Sequence, residues 1–293
     1  MPTNEQRRAT AKRKLERQLE RRAAKERKRR IYTIVGSAVA AIVVIGAIVA
    51  TVVVTNKDSG SQTASAATTS AASPTSAAPS APGALPAFVA PANLGANCQY
   101  PASQEKASKP VNPPRTGKVP TDPAQVSASM STNQGNIGLQ LDNGKAPCTV
   151  NSFASLAQQG YFDGTTCHRL TTDPQLGVLQ CGDPSGTGTG GPGYRFANEY
   201  PTNQYRLSDP ALKTPVMYPR GTLAMANKGS GTNGSQFFLV YADSMMPPTY
   251  TAFGTIDSTG LATLDKIAAA GVVGAGDDGK PAMAVTIDSI RLD

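Results

Sequence analysis

The stretch VSASMSTNQGNIGLQLD, residues 126–142, alternates apolar and polar side chains on both sides of a short polar segment. Successive side chains of a strand point to opposite faces, so each alternating run has one face to bury. The segment between the runs, 132–135, is Thr-Asn-Gln-Gly, a composition typical of turns. The stretch therefore predicts a β-hairpin with one buried face. The apolar residues that define this face are Val126, Ala128, Met130, Ile137, Leu139 and Leu141.

The residues that follow this hairpin predict two helices and several more short strands. Apolar side chains recur at helical spacing over 149–159, after Pro147 and before Gly160. The same spacing recurs over 261–270. Many short strands with two helices are typical of a mainly β, mostly antiparallel barrel or sandwich with helical caps. The strand candidates are Thr222–Ala226, Gln236–Val240, Phe253–Ile256 and a last strand over 285–292.

Positive charge is concentrated at the start of the chain. Residues 1–30 hold 13 Lys or Arg and four Asp or Glu, a net charge of +9, whereas the whole chain carries +8. The remaining residues therefore sum to −1. This distribution argues against a uniformly basic nucleic-acid-binding domain, and no nucleic-acid partner is expected.

The basic arm precedes 25 uncharged residues, 31–55, that are dominated by Ile, Val and Ala. Since about 20 apolar residues cross the hydrocarbon layer of a bilayer, we predict a single transmembrane helix over 31–55. Basic flanks stay in the cytoplasm, so residues 1–30 are expected to form a cytoplasmic arm and the C-terminal domain to be extracytoplasmic. The alternative, a cleaved signal peptide, has a shorter apolar region of roughly 7–15 residues.

Beyond the predicted span, residues 56–118 are expected to form a Ser/Ala/Thr/Pro-rich linker and a pre-barrel segment. Within them, 57–96 has a composition that buries too little apolar surface to offset its ordering entropy, so we predict a disordered spacer there. Residues 119–293 are the only part long enough to hold a hydrophobic core, and they are the predicted folded domain.

All four cysteines lie on the predicted outer side of the membrane. An even number of cysteines in an exported segment favours disulfides, with three possible connectivities. A metal site of Cys167, His168 and Cys181 is the alternative. It is not favoured, because the chain has no CxxC or HxxxH pair and adjacent side chains of a strand point to opposite faces. No metal is therefore predicted. The cysteines are Cys98, Cys148, Cys167 and Cys181.

Several catalytic classes lack their sequence signals. His168 is the only histidine, so any Ser-His-Asp or Cys-His mechanism would have to use it, and no GxSxG is present. The glycine-rich stretch 186–193 lacks the Gly-Lys-Ser/Thr ending of a phosphate-binding loop. A surface loop with unusual backbone angles is the preferred interpretation.

Six short motifs, in this order, resemble the sequence signature of the cyclophilins. Each motif alone is weak, but together they extend over about 126–292 and cover none of residues 1–118. The motifs are HRL at 168–170, VLQCGD at 178–183, FANE at 196–199, LAMAN at 223–227, TNGSQFF at 232–238 and YTAFG at 250–254.

This resemblance implies an eight-stranded antiparallel barrel capped by two helices, with an active site in a groove on its surface. It implies a peptidyl-prolyl cis–trans isomerase that acts on proline-containing polypeptide segments without a cofactor. Because isomerisation requires neither a nucleophile nor a metal, the missing catalytic triad agrees with this expectation.

The resemblance also assigns roles to individual residues. Arg169 matches the arginine that contacts the prolyl peptide, and Gln180 matches the glutamine that helps to hold it. Phe238 and Met246 match walls of the proline pocket, and Asn227 matches a residue whose backbone binds the substrate chain. The other expected substrate-binding residues are Val178, Ala226, Gln236 and Tyr250, the last in the place of a pocket histidine.

The chain departs from the family pattern near the arginine. Three extra residues lie between Arg169 and Gln180, within 171–177, and the customary Phe-Met pair before the glutamine becomes roughly Gly177-Val178. Met245 stands where some members have tryptophan. The shape of the pocket is therefore expected to differ, whereas the arginine is kept.

In the family, the strands that Cys167 and Cys181 flank are paired antiparallel, so the resemblance implies a disulfide between these two residues. Cys98 and Cys148 would then pair and attach the pre-barrel segment 97–118 to the barrel.

Three function classes follow from these patterns. The first is an active isomerase that assists the folding of exported proteins at the outer membrane face. The second is a cyclophilin-like module that binds proline-containing segments with little turnover, as the altered Gly177-Val178 suggests. The third is a membrane scaffold whose basic arm attracts anionic lipid or nucleic acid, although the positive-inside rule already explains those charges.

Overall fold

A computed structural model describes residues 83–293 of the chain. The helices in this region are α1 (Pro147–Gln158) and α2 (Ser258–Ala269), with short 3₁₀ turns at Thr202–Gln204 and Pro210–Lys213. The strands are β1 (Val126–Thr132), β2 (Gly135–Leu141), β3 (Thr165–Thr166), β4 (Arg169–Asp173), β5 (Leu176–Cys181), β6 (Val216–Tyr218), β7 (Thr222–Met225), β8 (Phe237–Ala242), β9 (Ser244–Met246), β10 (Ala252–Ile256), β11 (Asp278–Gly279) and β12 (Thr286–Leu292).

Ten of these strands form one antiparallel sheet in the order β11-β4-β5-β8-β7-β10-β2-β1-β12-β3, and β6 and β9 form a separate ribbon. The run 165–173 connects distant parts of the sheet. Its first residues, Thr165–Thr166, pair with β12, whereas its later residues, Arg169–Asp173, pair with β5. The sheet therefore curls back on itself around a hydrophobic core.

The prediction of a mainly β domain with two helices is confirmed. The hairpin over 126–142 is also confirmed, with Val126 opposite Leu141 and Met130 opposite Ile137. The sheet has ten strands where eight were expected. The difference arises because the run 165–173 is divided into β3 and β4, and because β11 adds two residues beyond β4.

Aromatic packing joins α1 to the sheet. Phe153 of α1 is buried, and its ring centroid lies 5.2–5.4 Å from those of Phe162, Phe237 and Phe253. Such pairs stabilise a core beyond the burial of their area. The buried carboxylate of Glu199 accepts hydrogen bonds from the backbone N–H groups of Cys148 and Thr149, at 3.1 and 2.8 Å. Glu199 therefore satisfies donors that the first turn of a helix leaves unpaired.

The pre-barrel segment 97–118 packs against the barrel. Cys98 exchanges backbone hydrogen bonds with Gly117, at 2.8 and 2.9 Å. The buried ring of Tyr100 contacts Tyr194 and Phe196 edge-on, with centroids 5.7 and 5.6 Å apart. This segment is therefore part of the folded domain, which begins earlier than the expected residue 119.

Residues 83–96 do not form the disordered spacer that was predicted over 57–96. Tyr200 donates a hydrogen bond from its hydroxyl group to the carbonyl of Pro86, at 2.8 Å. The side chain of Gln204 bonds both backbone groups of Val89, and Phe88 packs edge-on against Tyr200. Leu85 and Phe88 supply apolar contact to the barrel that composition averaged over the whole tract conceals. The rest of the predicted spacer lies outside the described residues.

Both disulfide bonds implied by the family resemblance are present. Cys98 is joined to Cys148, and Cys167 to Cys181. The alternative in which the thiolates of Cys167 and Cys181 bind a metal with His168 is therefore not the arrangement adopted. Within 83–293, no helix is long and apolar enough to cross a membrane, and the predicted arm and span, 1–30 and 31–55, lie outside the described residues.

The Cys98–Cys148 bond closes a loop of 50 residues, and the Cys167–Cys181 bond closes one of 14. If the main effect of each bond is to restrict the unfolded chain, removing the first lowers the free energy of unfolding by about 4 kcal/mol and the second by about 3 kcal/mol. Urea unfolding should therefore show a larger loss of stability for the Cys98→Ala/Cys148→Ala variant than for the Cys167→Ala/Cys181→Ala variant. The first variant should also be cleaved by protease within 97–118. Equal resistance of both variants to cleavage there would contradict the attachment of this segment through Cys98.

Candidate active site

Four side chains stand in one lateral row across neighbouring strands. The pairing of β4 with β5 sets Arg169 opposite Gln180, and the pairing of β5 with β8 sets Gln180 opposite Phe238. The pairing of β8 with β7 sets Phe238 opposite Ala224. Residues that oppose each other on adjacent strands point to the same face of a sheet. The row therefore brings a guanidinium group, an amide and an aromatic ring to one face.

The strands that carry this row are apolar on both faces. Leu179, Leu223 and Leu239 point into the main core and are fully buried. Alternate residues of the same strands form a second apolar cluster on the opposite face, which the β6–β9 ribbon covers. The cluster includes four of the predicted substrate-binding residues, Val178, Ala226, Phe238 and Met246.

Phe238 and Met246 are largely buried in this second cluster, where they are 7% and 4% exposed. The Phe238 ring meets the Tyr250 ring edge-on, with centroids 5.6 Å apart. The hydroxyl group of Tyr218 on β6 donates to the carbonyl of Tyr250, at 2.7 Å. Tyr218 therefore holds Tyr250 in place, a role that was not predicted. Its only local signal is the short apolar run 216–218 between two prolines.

A chain of polar side chains crosses the outer face beside the apolar cluster. Arg169 donates from Nη1 to Oε1 of Gln180, at 3.1 Å. Gln180 donates from Nε2 to Oε1 of Gln236, at 2.8 Å. Gln236 in turn donates to the carbonyl groups of Gly188 and Gly190, at 3.1 and 2.9 Å. The three predicted residues thus orient one another and are attached to the glycine-rich loop 186–193.

The other side of the Arg169 guanidinium group contacts Asp278. Nε donates to Oδ1 and Nη2 to Oδ2, both at 2.8 Å. Hydrogen bonding between the two side chains raises the pKa of Arg169 above its ordinary value and lowers the pKa of Asp278 below its ordinary value. Asp278 lies 109 residues from Arg169 in the sequence, and no local pattern predicted it.

The glycine-rich loop is held by the buried carboxylate of Asp183. It accepts hydrogen bonds from the backbone N–H groups of Ser185, Gly188 and Gly190, at 2.7–3.0 Å. Burial acts to raise the pKa of Asp183, but hydrogen bonds from Ser185, Gly190 and Gly188 outweigh it and lower the pKa. The surface loop predicted over 186–193 is thus ordered around an ionised carboxylate.

A cavity of about 300 Å³ opens beside the polar chain. Four predicted residues line it, together with the glycine-rich loop and three residues of the pre-barrel segment, Ser103, Glu105 and Lys106. Arg169, Phe238, Met246 and Tyr250 do not line this cavity. The polar chain therefore separates two parts of the surface, an apolar part and a more polar cavity. The four lining residues are Gln180, Ala226, Asn227 and Gln236.

Asn227 lies at the junction of these two parts. Its side chain donates to the carbonyl of Thr249, at 2.8 Å, and to Oδ1 of Asn233, at 3.2 Å. Its side-chain oxygen accepts from the N–H of Gly229, at 3.0 Å. These contacts fix the side chain inward and define the path of the backbone at 226–229.

The comparisons with known proteins agree on one family. The family "Cyclophilin type peptidyl-prolyl cis-trans isomerase/CLD" matches residues 127–292. A probable peptidyl-prolyl cis-trans isomerase B of Mycobacterium leprae is 65% identical over 295 residues, which cover all of both chains. Its counterpart in Mycobacterium tuberculosis (strain H37Rv) is 69% identical over 293 residues, 100% of this chain and 95% of that protein. The chain belongs to the cyclophilin-type peptidyl-prolyl cis–trans isomerases.

Among solved structures, a cyclophilin-type isomerase of Cryptosporidium parvum covers 58% of this chain and 98% of its own, at 29% identity and a TM-score of 0.47. The predictions of a cyclophilin and of isomerase activity are confirmed by the family match and by the relatives.

The reaction of a cyclophilin is limited by rotation about a partial double bond. A peptide bond resists rotation by about 18–20 kcal/mol, because the nitrogen lone pair is shared with the carbonyl group. At an X–Pro bond the two isomers are close in energy but exchange over tens to hundreds of seconds. A protein that binds the twisted state more tightly than the planar states lowers this barrier. An apolar surface beside preorganised hydrogen-bond donors has the required chemistry.

All nine predicted site residues of this cyclophilin lie on one side of the sheet. The polar chain holds Arg169, Gln180 and Gln236, and the apolar cluster holds four others. Tyr250 packs against Phe238, and Asn227 lines the adjoining cavity. Val178 has no exposed surface, so its side chain lies inside the apolar cluster and is not accessible from this side.

His168 packs against the glycine-rich loop at Gly188. Its Nδ1 atom is buried without a hydrogen-bond partner within the described structure. A Cβ atom at Gly188 would lie 3.2 Å from the imidazole ring, so this position favours a residue without a side chain. Burial lowers the pKa of His168, with Arg169 acting in the same direction and Asp183 opposing it. The imidazole is therefore neutral in the folded protein near neutral pH.

This lowered pKa makes stability depend on pH in a defined direction. The unfolded chain binds a proton near the ordinary pKa of 6.5, whereas the folded chain does so only at lower pH. The contribution of neutral His168 to the free energy of unfolding is thus complete above pH 6.5 and declines as the pH falls below this value. We expect urea unfolding at pH 7.5 and 5.5 to show a smaller decrease for His168→Asn than for the wild-type protein. Equal decreases would contradict a buried neutral imidazole.

Proposed function

We propose that this cyclophilin isomerises X–Pro bonds of exported proteins at the outer face of the cell membrane, and that Arg169 is its catalytic residue. The observation that carries the catalytic part is the lateral row. It sets Arg169 and Phe238 on one face of the sheet with Gln180 between them. A proline ring on Phe238 then lies beside a guanidinium group that is already oriented.

The guanidinium group of Arg169 retains donors for a substrate. An arginine has five N–H donors. Asp278 accepts from Nε and from one hydrogen of Nη2, and Gln180 accepts from one hydrogen of Nη1. One hydrogen on each terminal nitrogen remains. A hydrogen bond from either one to the prolyl nitrogen would withdraw its lone pair from resonance as the amide twists, which favours the transition state.

The apolar cluster supplies the surface for the proline ring. Phe238 and Met246 keep a small exposed fraction, and Tyr250 lies half-buried beside Phe238. Gln236 and Ala226 continue the groove towards Asn227. The structure also gives a reason for the missing Phe-Met pair. A Cβ atom at Gly177 would lie 2.7 Å from the Cβ of Ala242, so a side chain there would displace β8. The pocket is therefore bounded by residues of β8, β9 and the 247–250 segment.

Two features support an extracytoplasmic location for the reaction. The described residues contain two disulfide bonds and no free cysteine, and structural disulfides persist in oxidising compartments. The sequence before them combines a +9 arm with an uncharged run over 31–55, the pattern of a single-pass anchor with its N-terminus in the cytoplasm. Exported polypeptides with X–Pro bonds are the substrates present there.

A second candidate function is binding without efficient turnover. The observation in its favour is the pocket wall near Gly177, which lacks the family's aromatic residue, while Val178 is fully buried. A proline segment would then be held mainly by Phe238 and Met246. Measured binding of Pro peptides without acceleration of their isomerisation would support this function over the first.

Arg169 is proposed to act on the twisted amide, so Arg169→Ala should lower kcat by about tenfold or more, which corresponds to at least ~1.4 kcal/mol of transition-state stabilisation. Phe238→Ala should raise KM as well, because it removes apolar contact in the ground state. The measurement is a protease-coupled prolyl-peptide assay on the full-length chain.

Arg220→Ala is the matched control for this assay. Arg220 forms a similar two-bond pair with Asp265, at 2.7 and 2.8 Å, outside the polar chain. The Arg220→Ala variant should leave kcat and KM unchanged. Full activity of a well-folded Arg169→Ala variant would disprove the catalytic role of Arg169.

The proposed topology predicts that protease added to intact cells releases a soluble fragment of about the size of residues 83–293. Cleavage should fall within 57–82, and a cytoplasmic marker protein should stay intact. Complete protection of the isomerase domain in cells whose surface proteins are cleaved would contradict an extracytoplasmic location.

A further inference from the structure

Asp278 is placed beside Arg169 by the backbone of the sheet. It begins β11, whose two residues pair with β4, Asp278 opposite Thr171 and Gly279 opposite Leu170. The preceding carbonyl group, of Asp277, accepts a hydrogen bond from the N–H of Thr172, at 2.7 Å. The carboxylate therefore stands on a paired strand and not on a free loop, next to the strand that carries Arg169.

Three hydrogen bonds fix the plane of the Arg169 guanidinium group. Two of them, both 2.8 Å long, go to the two oxygens of Asp278. The third, 3.1 Å long, goes to Oε1 of Gln180. Asp278 and Gln180 thus hold the group from different directions. An arginine without such partners has many rotamers, and ordering them during the reaction would oppose binding of the twisted amide.

We propose that Asp278 is a positioning residue of this cyclophilin, which holds the guanidinium group of Arg169 in the orientation that receives the twisted prolyl amide. This inference rests on the proposed catalytic role of Arg169. Asp278 itself does not touch the substrate. Its effect passes through the arginine, because its two oxygens accept from Nε and Nη2 and direct the remaining hydrogens towards the groove.

The Arg220–Asp265 pair provides a comparison within the same domain. Both pairs have two short hydrogen bonds and similar exposure, with side chains 32% and 50% exposed for Arg169 and Asp278, and 39% and 54% for Arg220 and Asp265. Pairs this exposed contribute little to folding stability. Each arginine makes a third hydrogen bond, but that of Arg220 goes to the carbonyl of Tyr241, whereas that of Arg169 enters the polar chain beside the groove. Loss of the Arg169–Asp278 pair should therefore appear in turnover and not in stability.

The first experiment measures kcat and KM of the full-length chain with a prolyl peptide. Asp278→Ala should lower kcat about three- to tenfold and leave KM within about twofold, since a preorganised donor acts mainly in the transition state. Asp278→Glu, which keeps the carboxylate, should restore at least about half of the wild-type kcat. The matched control, Asp265→Ala, should have wild-type constants, and thermal unfolding should show that all three variants are folded.

The second experiment separates positioning from a general structural effect. In an Arg169→Ala background, the Asp278→Ala change should not lower kcat further, because no guanidinium group remains to be oriented. An equal decrease in both backgrounds, or no decrease in the wild-type background, would overturn the inference while leaving the role of Arg169 intact. An increase in kcat for Asp278→Ala would also overturn it, since Asp278 would then restrain the arginine. Full activity of Arg169→Ala alone would instead disprove the proposed function on which the inference rests.

Discussion

The register of four antiparallel strands is the constraint on which the site depends. The pairing of β4, β5, β8 and β7 sets Arg169, Gln180, Phe238 and Ala224 in one row. Because side chains alternate between faces, a shift of one residue in any of these pairings would send part of the row into the barrel core. The same shift would bring Leu170, Leu179 or Leu239, all fully buried, to the surface. Core packing therefore enforces the register that assembles the groove.

The groove uses the outer face of strands whose inner face already builds the core. Strands of a parallel sheet that is buried on both faces are continuous apolar runs in the sequence. The antiparallel strands here are also apolar on both faces, because the β6–β9 ribbon covers their outer face. Phe237 contributes to the core and Phe238 to the groove. This arrangement gives the proposed substrate surface a rigid support, since neither face of β8 can move without disturbing the other.

The polar part of the site is assembled from segments far apart in the sequence. Asp278 contacts Arg169, Gln236 reaches the glycine-rich loop, and the pre-barrel segment forms backbone hydrogen bonds with that loop at Gly191 and Gly193. The Cys98–Cys148 bond attaches the start of this segment to α1. A residue N-terminal to the barrel, such as Lys106, consequently lines the cavity beside Gln180. The folded domain thus includes residues 83–118, which were expected to precede it.

The sequence by itself determined the class of fold, the hairpin over 126–142, both helices and the order of the six motifs, because each of these is encoded by local periodicity or by contiguous residues. The motifs also located Arg169, Gln180 and Phe238, and the resemblance they carry implied both disulfide pairs. Only the tertiary structure decided that Asp278 holds Arg169, that Tyr218 holds Tyr250, and that residues 83–118 pack on the barrel. These are contacts between single side chains or irregular segments that lie up to 115 residues apart in the sequence. Such contacts leave no periodic pattern, since they are selected by the geometry of the closed sheet and not by the residues that flank them.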